Sequence, residues 1–201
     1  MLPIELLLAI ASFAFVTSAT PGPNNIMLTA SGANFGFVKT LPHIAGIVAG
    51  VALLNLCIGL GLGALFQQFP IVQQVLKIAG SAYLLWLAFK LLGFSYVNND
   101  GNNDAKPFSF FQALSFQYIN PKAWVMVISA NASFSLTGEQ YWVSVWFIIL
   151  VFVLVGPPSI MIWAAFGQMI KRYLGNPTFL KTFNVTMATL TAACVLFIWT
   201  D

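Results

Sequence analysis

Apolar residues run along this chain in long stretches rather than alternating with polar ones, and the stretches are the length of membrane crossings. Six can be marked. The first runs from about Leu6 to Leu28 and is interrupted at Pro21-Gly22-Pro23-Asn24-Asn25. The second, Leu41 to Phe66, carries no charge. The third, about Ile71 to Phe94, holds Lys77 and Lys90, and the fourth, Phe110 to Phe134, is interrupted at Asn120-Pro121-Lys122. The fifth and sixth run from about Trp142 to Phe166 and from Thr178 to Trp199. A bilayer-spanning helix needs about 20 mostly apolar residues, so the pattern predicts six helices with short loops. Lys77 and Lys90 are separated by roughly 20 Å of helix, which lets each snorkel to an opposite membrane face.

Composition removes the soluble alternative. The chain is 59% hydrophobic and 6% charged, against roughly 25% charged in a soluble domain. The net charge of +3 is scattered rather than gathered in a basic run, which excludes nucleic acid as a partner and leaves lipid and small solutes. Leu6 to Val16 followed by Thr17-Ser18-Ala19 resembles a secretory signal. However, no Lys or Arg precedes the apolar run, Glu5 stands there instead, and further spans follow, so it reads as a retained first helix. Lys39, Lys90, Lys106, Lys171, Arg172 and Lys181 fall on one side of the predicted membrane and Lys77 on the other. The positive-inside rule then places both termini outside.

The two interruptions give the chain an internal logic. They lie 100 residues apart, at Pro21 and Pro121, at matching places in two three-helix units. The units cover about 1–97 and 105–201 of a single transmembrane domain, joined by the polar loop that holds Asn98 to Asp104. An odd number of spans per unit inverts the second relative to the first, and paired broken helices in an inverted repeat point to a transport site near the midplane. Proline removes a backbone donor and leaves carbonyls unpaired, which lipid does not tolerate. The freed carbonyls with the Asn24 and Asn25 amides form a polar cluster suited to a zwitterion. A plain kink, its asparagines bonded to a neighbouring helix, is the other reading.

Lys122 is the deep cation of the fourth span. It is a candidate for binding a substrate carboxylate or exchanging a proton, with snorkelling to the inner surface as the alternative. His43, the single histidine, lies near the inner end of the second span. It suits proton coupling or a purely structural place equally. Gly46 with Gly50, and Gly59 with Gly63, have the spacing of close helix contacts. Gly156-Pro157-Pro158 is expected to kink the fifth span, with a hinge as one use of the kink. Thr182, Asn184, Thr186, Thr189 and Thr191 line one helix with polar groups, which fits interhelical bonding as well as a substrate path. Cys57 and Cys194 read as small core residues; the rival function they would serve is a membrane thiol–disulfide carrier. One histidine and no carboxylate within the spans cannot assemble a metal site, and nothing in the chain calls for a cofactor.

Thr20-Pro21-Gly22-Pro23-Asn24-Asn25-Ile26, followed by Gly36, Gly46 and Gly50, resembles the LysE/RhtB family of bacterial amino-acid exporters, and Asn120-Pro121-Lys122-Ala123 is similar to its second-half motif. The likeness covers essentially the whole chain. Within the family, the first motif and Ala105-Lys106-Pro107-Phe108-Ser109-Phe110 look most like the cysteine/O-acetylserine branch. The resemblance implies a multi-pass transporter of the bacterial inner membrane, not an enzyme. It would export amino acids or close derivatives from the cytoplasm by proton antiport, with Pro21, Gly22, Pro23, Asn24, Asn25, Asn120, Pro121 and Lys122 around the substrate. A homo-oligomer is compatible with it. With no acidic residue in the spans, a dibasic substrate would have nothing to balance its side-chain charge, so small neutral amino acids are favoured.

Overall fold

The computed structural model describes residues 3–20, 22–62 and 106–199, together with scattered helical positions between 71 and 92. Pro21, Gly63, Lys77, Lys90 and the Asn98–Asp104 loop lie outside the described residues, as does the side chain of Cys194. Among the described residues everything longer than a turn is helix. In chain order these are α1 (Ile4–Ala19), α2 (Pro23–Phe35), α3 (Phe37–Cys57), α4 (Phe110–Phe116), α5 (Pro121–Phe134), α6 (Tyr141–Ile170) and α7 (Pro177–Trp199). A π-helical turn, Ile58–Leu62, extends α3, and single 3-10 turns flank α6 at Gly138–Gln140 and Lys171–Tyr173.

The predicted interruptions are real helix ends. α1 stops at Ala19 and α2 restarts with Pro23 in its first position, where the missing N–H costs nothing. The two axes meet at 58°. The fourth stretch divides in the same way: α4 is seven residues long and α5 begins at Pro121 behind the cap Asn120. Between α2 and α3 the chain reverses through Gly36 alone, at φ 86°, a backbone region that glycine enters without steric cost. Among the described residues two helical segments, Phe37–Gly61 and Gly138–Tyr173, are long and apolar enough to cross a membrane unaided, and α1 with α2 makes a third as a bent pair.

α6 is the hub and packs on α1, α2, α3 and α5. Its thirty residues pass through Pro157 and Pro158 without a helix break, so the expected kink is absorbed within one continuous element. α2 meets α6 backbone to backbone. A Cβ on Gly32 would collide with Ala164 O, and one on Gly167 with Thr29 O. α3 lies equally close to α4: a Cβ on Gly46 would strike Phe110 O, and one on Gly50 would come within 2.6 Å of Gln117 Cγ. Small residues are what allow helices to approach so closely in lipid, where dispersion contacts and interhelical hydrogen bonds replace the hydrophobic drive. Ile10, Leu28, Leu54, Val127 and Ile148 fill the core between these contacts.

Candidate functional site

The carbonyls that end α1 have no intrahelical partners, and each finds one elsewhere in the protein. Val16 O accepts from Thr20 N at 3.0 Å, and Thr17 O from Thr20 Oγ1 at 3.0 Å. Ser18 O accepts from Asn25 Nδ2 at 2.9 Å, and Ala19 O from Trp163 Nε1 at 3.0 Å. Thr20 O accepts from Asn25 Nδ2 at 2.6 Å and from Lys122 Nζ at 2.5 Å. An unpaired backbone group in lipid costs several kcal/mol, so this full accounting is what makes the break tolerable. It also changes the sequence expectation, because these carbonyls are already bonded by protein donors. Asn25, 2% exposed, is the staple of the break.

The second break seals itself. Gln117, Tyr118 and Ile119 donate to the carbonyls three residues back at 3.1 to 3.2 Å, and Trp124 Nε1 bonds Tyr118 O at 2.9 Å. Asn120 Oδ1 accepts from Lys122 N at 3.2 Å, capping α5.

Two contacts tie the breaks together. Asn24 and Gln117 exchange both amide bonds, Asn24 Nδ2 to Gln117 Oε1 at 2.8 Å and Gln117 Nε2 to Asn24 Oδ1 at 3.1 Å. Gln117 also donates to Ala113 O and is fully buried. Lys122 crosses from α5 with its stem over Gly22, where a Cβ would stand 2.6 Å from Lys122 Cδ, and its ammonium bonds Thr20 O and Thr20 Oγ1, the latter at 2.9 Å. The deep cation is thus held at the C-terminal, negative end of the α1 dipole.

Around this junction lies a cavity of about 490 Å³, counting the space open at its mouth. Gly22, Asn24, Asn25, Asn120 and Lys122 supply the polar part of its lining, with Thr17 and Ser18 of α1. Ile47 and Val51 of α3, Met126 of α5 and Phe152 and Ile160 of α6 supply apolar walls. Among the described residues the lining includes one cation and no carboxylate, and the N-termini of α2 and α5, both positive dipole ends, open onto it. Gly156 belongs to the wall as well: nothing approaches its would-be Cβ closer than Ser18 Oγ at 4.0 Å.

The site residues named from sequence converge here, apart from Pro21, which is not described, and Pro23 and Pro121, which start the helices without facing the cavity. His43 lies one turn along α3 from Ile47 and outside the lining. It is 1% exposed, its ring tilted at 37° against that of Phe108 with the centroids 5.2 Å apart, and neither ring nitrogen is bonded among the described residues. The α7 threonines and Asn184 are also outside the lining. Thr191 turns back to Met187 O at 2.7 Å. Gln117 and Trp163 are the residues that sequence reading missed, and Thr20, named there as the first residue of the motif, had no role assigned to it. Gln117 carried a signal of its own, as an amide three positions before the Asn120-Pro121 break. A second buried amide pair, Asn131 Nδ2 to Asn55 Oδ1 at 2.9 Å, joins α5 to α3 beyond the cavity.

A helical membrane protein whose broken helices meet at a cavity with a few polar groups in a mostly apolar wall belongs to the class of small-solute translocators. Comparison with known proteins narrows the class: the LysE type translocator family matches residues 15–199, and this chain belongs to that family. Among similar proteins is the cysteine/O-acetylserine efflux protein of Shigella flexneri, 30% identical over 200 residues covering 99% of this chain and all of that protein. The Escherichia coli protein of the same name is 29% identical over 195 residues, 96% of this chain and 97% of its own. No solved structure matches the chain.

Proposed function

We propose that this protein is a secondary transporter, not an enzyme, that exports small neutral amino acids or close derivatives from the bacterial cytoplasm by proton antiport. The substrates favoured are cysteine, O-acetylserine, threonine and homoserine. The observation that carries the reading is the cavity at the two breaks, which offers one ammonium and two helix N-termini to a carboxylate and no carboxylate to a second substrate cation. The names of the full-length relatives support the same substrate class. In this reading six spans form two inverted three-helix units with both termini outside, Lys122 takes the carboxylate, Asn24 and Asn120 orient the ligand, and His43 is the candidate proton carrier. The thiol–disulfide alternative gains nothing, since Cys57 does not line the cavity.

Overexpression should protect cells challenged with individual amino acids, and proteoliposomes should accumulate labelled cysteine in response to an imposed proton gradient. Protection without gradient-driven uptake would remove the antiport. The absence of both would remove the function. Reporter fusions in the Asn98–Asp104 loop and at the C-terminus test the topology, which a cytoplasmic C-terminus would overturn.

A further inference from the structure

Lys122 donates its ammonium to the last carbonyl of a helix, and a primary ammonium is also what an α-amino acid carries. From this geometry we infer that the substrate inserts between Lys122 and Thr20. Its carboxylate takes the ammonium of Lys122, and its own α-ammonium takes the Thr20 oxygens that Lys122 holds in the ligand-free protein. The inference rests on the amino-acid reading above and adds to it a subsite for the amino group.

Several features make the exchange feasible. Thr20 is exposed and Lys122 half-buried, so a ligand reaches the contact without unpacking the core. The lysine stem is flexible and its ammonium adaptable, and Gly22 leaves the stem room to slide. The α-ammonium would arrive at the negative end of α1, with Asn25 Nδ2 still bonded to Thr20 O. The carboxylate would face Lys122 and the positive ends of α2 and α5. The bonding at Thr20 balances: the two bonds from Lys122 to the Thr20 oxygens are replaced by an ammonium–carboxylate pair and by bonds from the substrate ammonium to the same two oxygens. The neighbouring Asn24–Gln117 brace differs. Its reciprocal bonds and fully buried Gln117 leave it no exchangeable acceptor, so it holds the breaks in register while the lysine changes partner.

Insertion requires both charged groups on one ligand. An amine lacking the carboxylate competes with Lys122 for Thr20 and is repelled by it. An N-acylated acid pairs with Lys122 but leaves Thr20 unfilled.

The test is equilibrium binding of labelled cysteine to the purified full chain, under reducing conditions, with cysteamine and N-acetylcysteine as competitors. The wild-type protein should prefer cysteine to either by at least about tenfold. In Lys122→Met cysteine should weaken by at least about tenfold, while cysteamine should gain affinity, because the Thr20 oxygens are vacated and the repelling charge is gone. In Thr20→Val cysteine should weaken by about tenfold and N-acetylcysteine should bind as well as before or better. Unchanged cysteamine binding in Lys122→Met, or a parallel loss of both acids in Thr20→Val, would overturn insertion while leaving the amino-acid site standing. A wild-type protein that binds none of the three would remove the proposed function, and insertion with it.

Discussion

At the first break the carbonyls ending α1 are bonded by Asn25 from α2, Lys122 from α5 and Trp163 from α6, the last two lying 102 and 144 positions away. At the second break the turn bonds and the Trp124 bond to Tyr118 O close the chain from within six positions, and Asn120 caps α5 with its own side chain. Both breaks start their second helix with proline, so the local chemistry is alike and the means of support differ. The self-sealed break is a rigid post that presents Lys122. The other is held by partners that belong to separate helices, so any shift of α5 or α6 must be felt there. A transporter that opens and closes around a fixed cavity needs one such responsive break. The α1–α2 junction is therefore expected to be the more sensitive of the two to a shift of α5 or α6.

The strongest challenge to the comparison is to separate α2 from α6, which carries Trp163. Gly32→Ala or Gly167→Ala drives a methyl into facing backbone that cannot yield, and overpacking of this kind should cost about 3 kcal/mol. Thermal unfolding of the purified protein should show the loss for each. Gly156→Ala, which meets only Ser18 Oγ at 4.0 Å, should leave stability unchanged and lower export by filling the cavity. Wild-type stability in the first two variants would mean that α6 does not clamp the first break.

The positions of the breaks were legible in sequence because their cause is local: proline in an apolar stretch lacks a donor wherever the chain goes. Gly46 and Gly50 were legible for the same reason, as a spacing on one helix face that the contacts with α4 realise. The clamps were not. Trp163 reads as one more apolar residue of the fifth stretch until the fold brings its N–H to Ala19 O. Gly32 and Gly167 sit on different helices and acquire meaning as a pair only at their crossing. Lys122 was recognised as a deep cation in want of a partner. Among the described residues its ammonium is bonded by a helix end, and no inventory of residue types contains a helix end.

Asn25→Ala should have the next largest effect. It removes the donor to both Ser18 O and Thr20 O at a site almost fully buried, and leaving those carbonyls short of a partner should cost about 2–3 kcal/mol. Trp163→Phe keeps most of the ring's packing and deletes one bond to Ala19 O, so a loss of about 1–2 kcal/mol is expected. The double variant tests whether the two donors support one unit. Their effects should be non-additive, because both variants loosen the same helix end. Strict additivity in the double variant would show that the break is not a single responsive unit.

The smallest effect on stability should come from the second break. Asn120→Ala removes one capping bond, the acceptor for Lys122 N, and helix caps of this kind contribute about 1 kcal/mol. The turn bonds from Gln117, Tyr118 and Ile119 and the Trp124 bond to Tyr118 O remain. Asn120→Asp separates the cap from the chemistry of the site. A carboxylate caps as well as an amide oxygen, so thermal stability should match the wild type. The same change puts a negative charge into the cavity lining beside Lys122, where it competes with a substrate carboxylate for that ammonium. Export by Asn120→Asp should therefore fall well below that of Asn120→Ala, although Asn120→Asp is the more stable of the two. Parallel measurements of unfolding temperature and proteoliposome counterflow would decide the matter. Equal export by the two variants would mean that residue 120 acts on the break alone and that its side chain is not seen by the ligand.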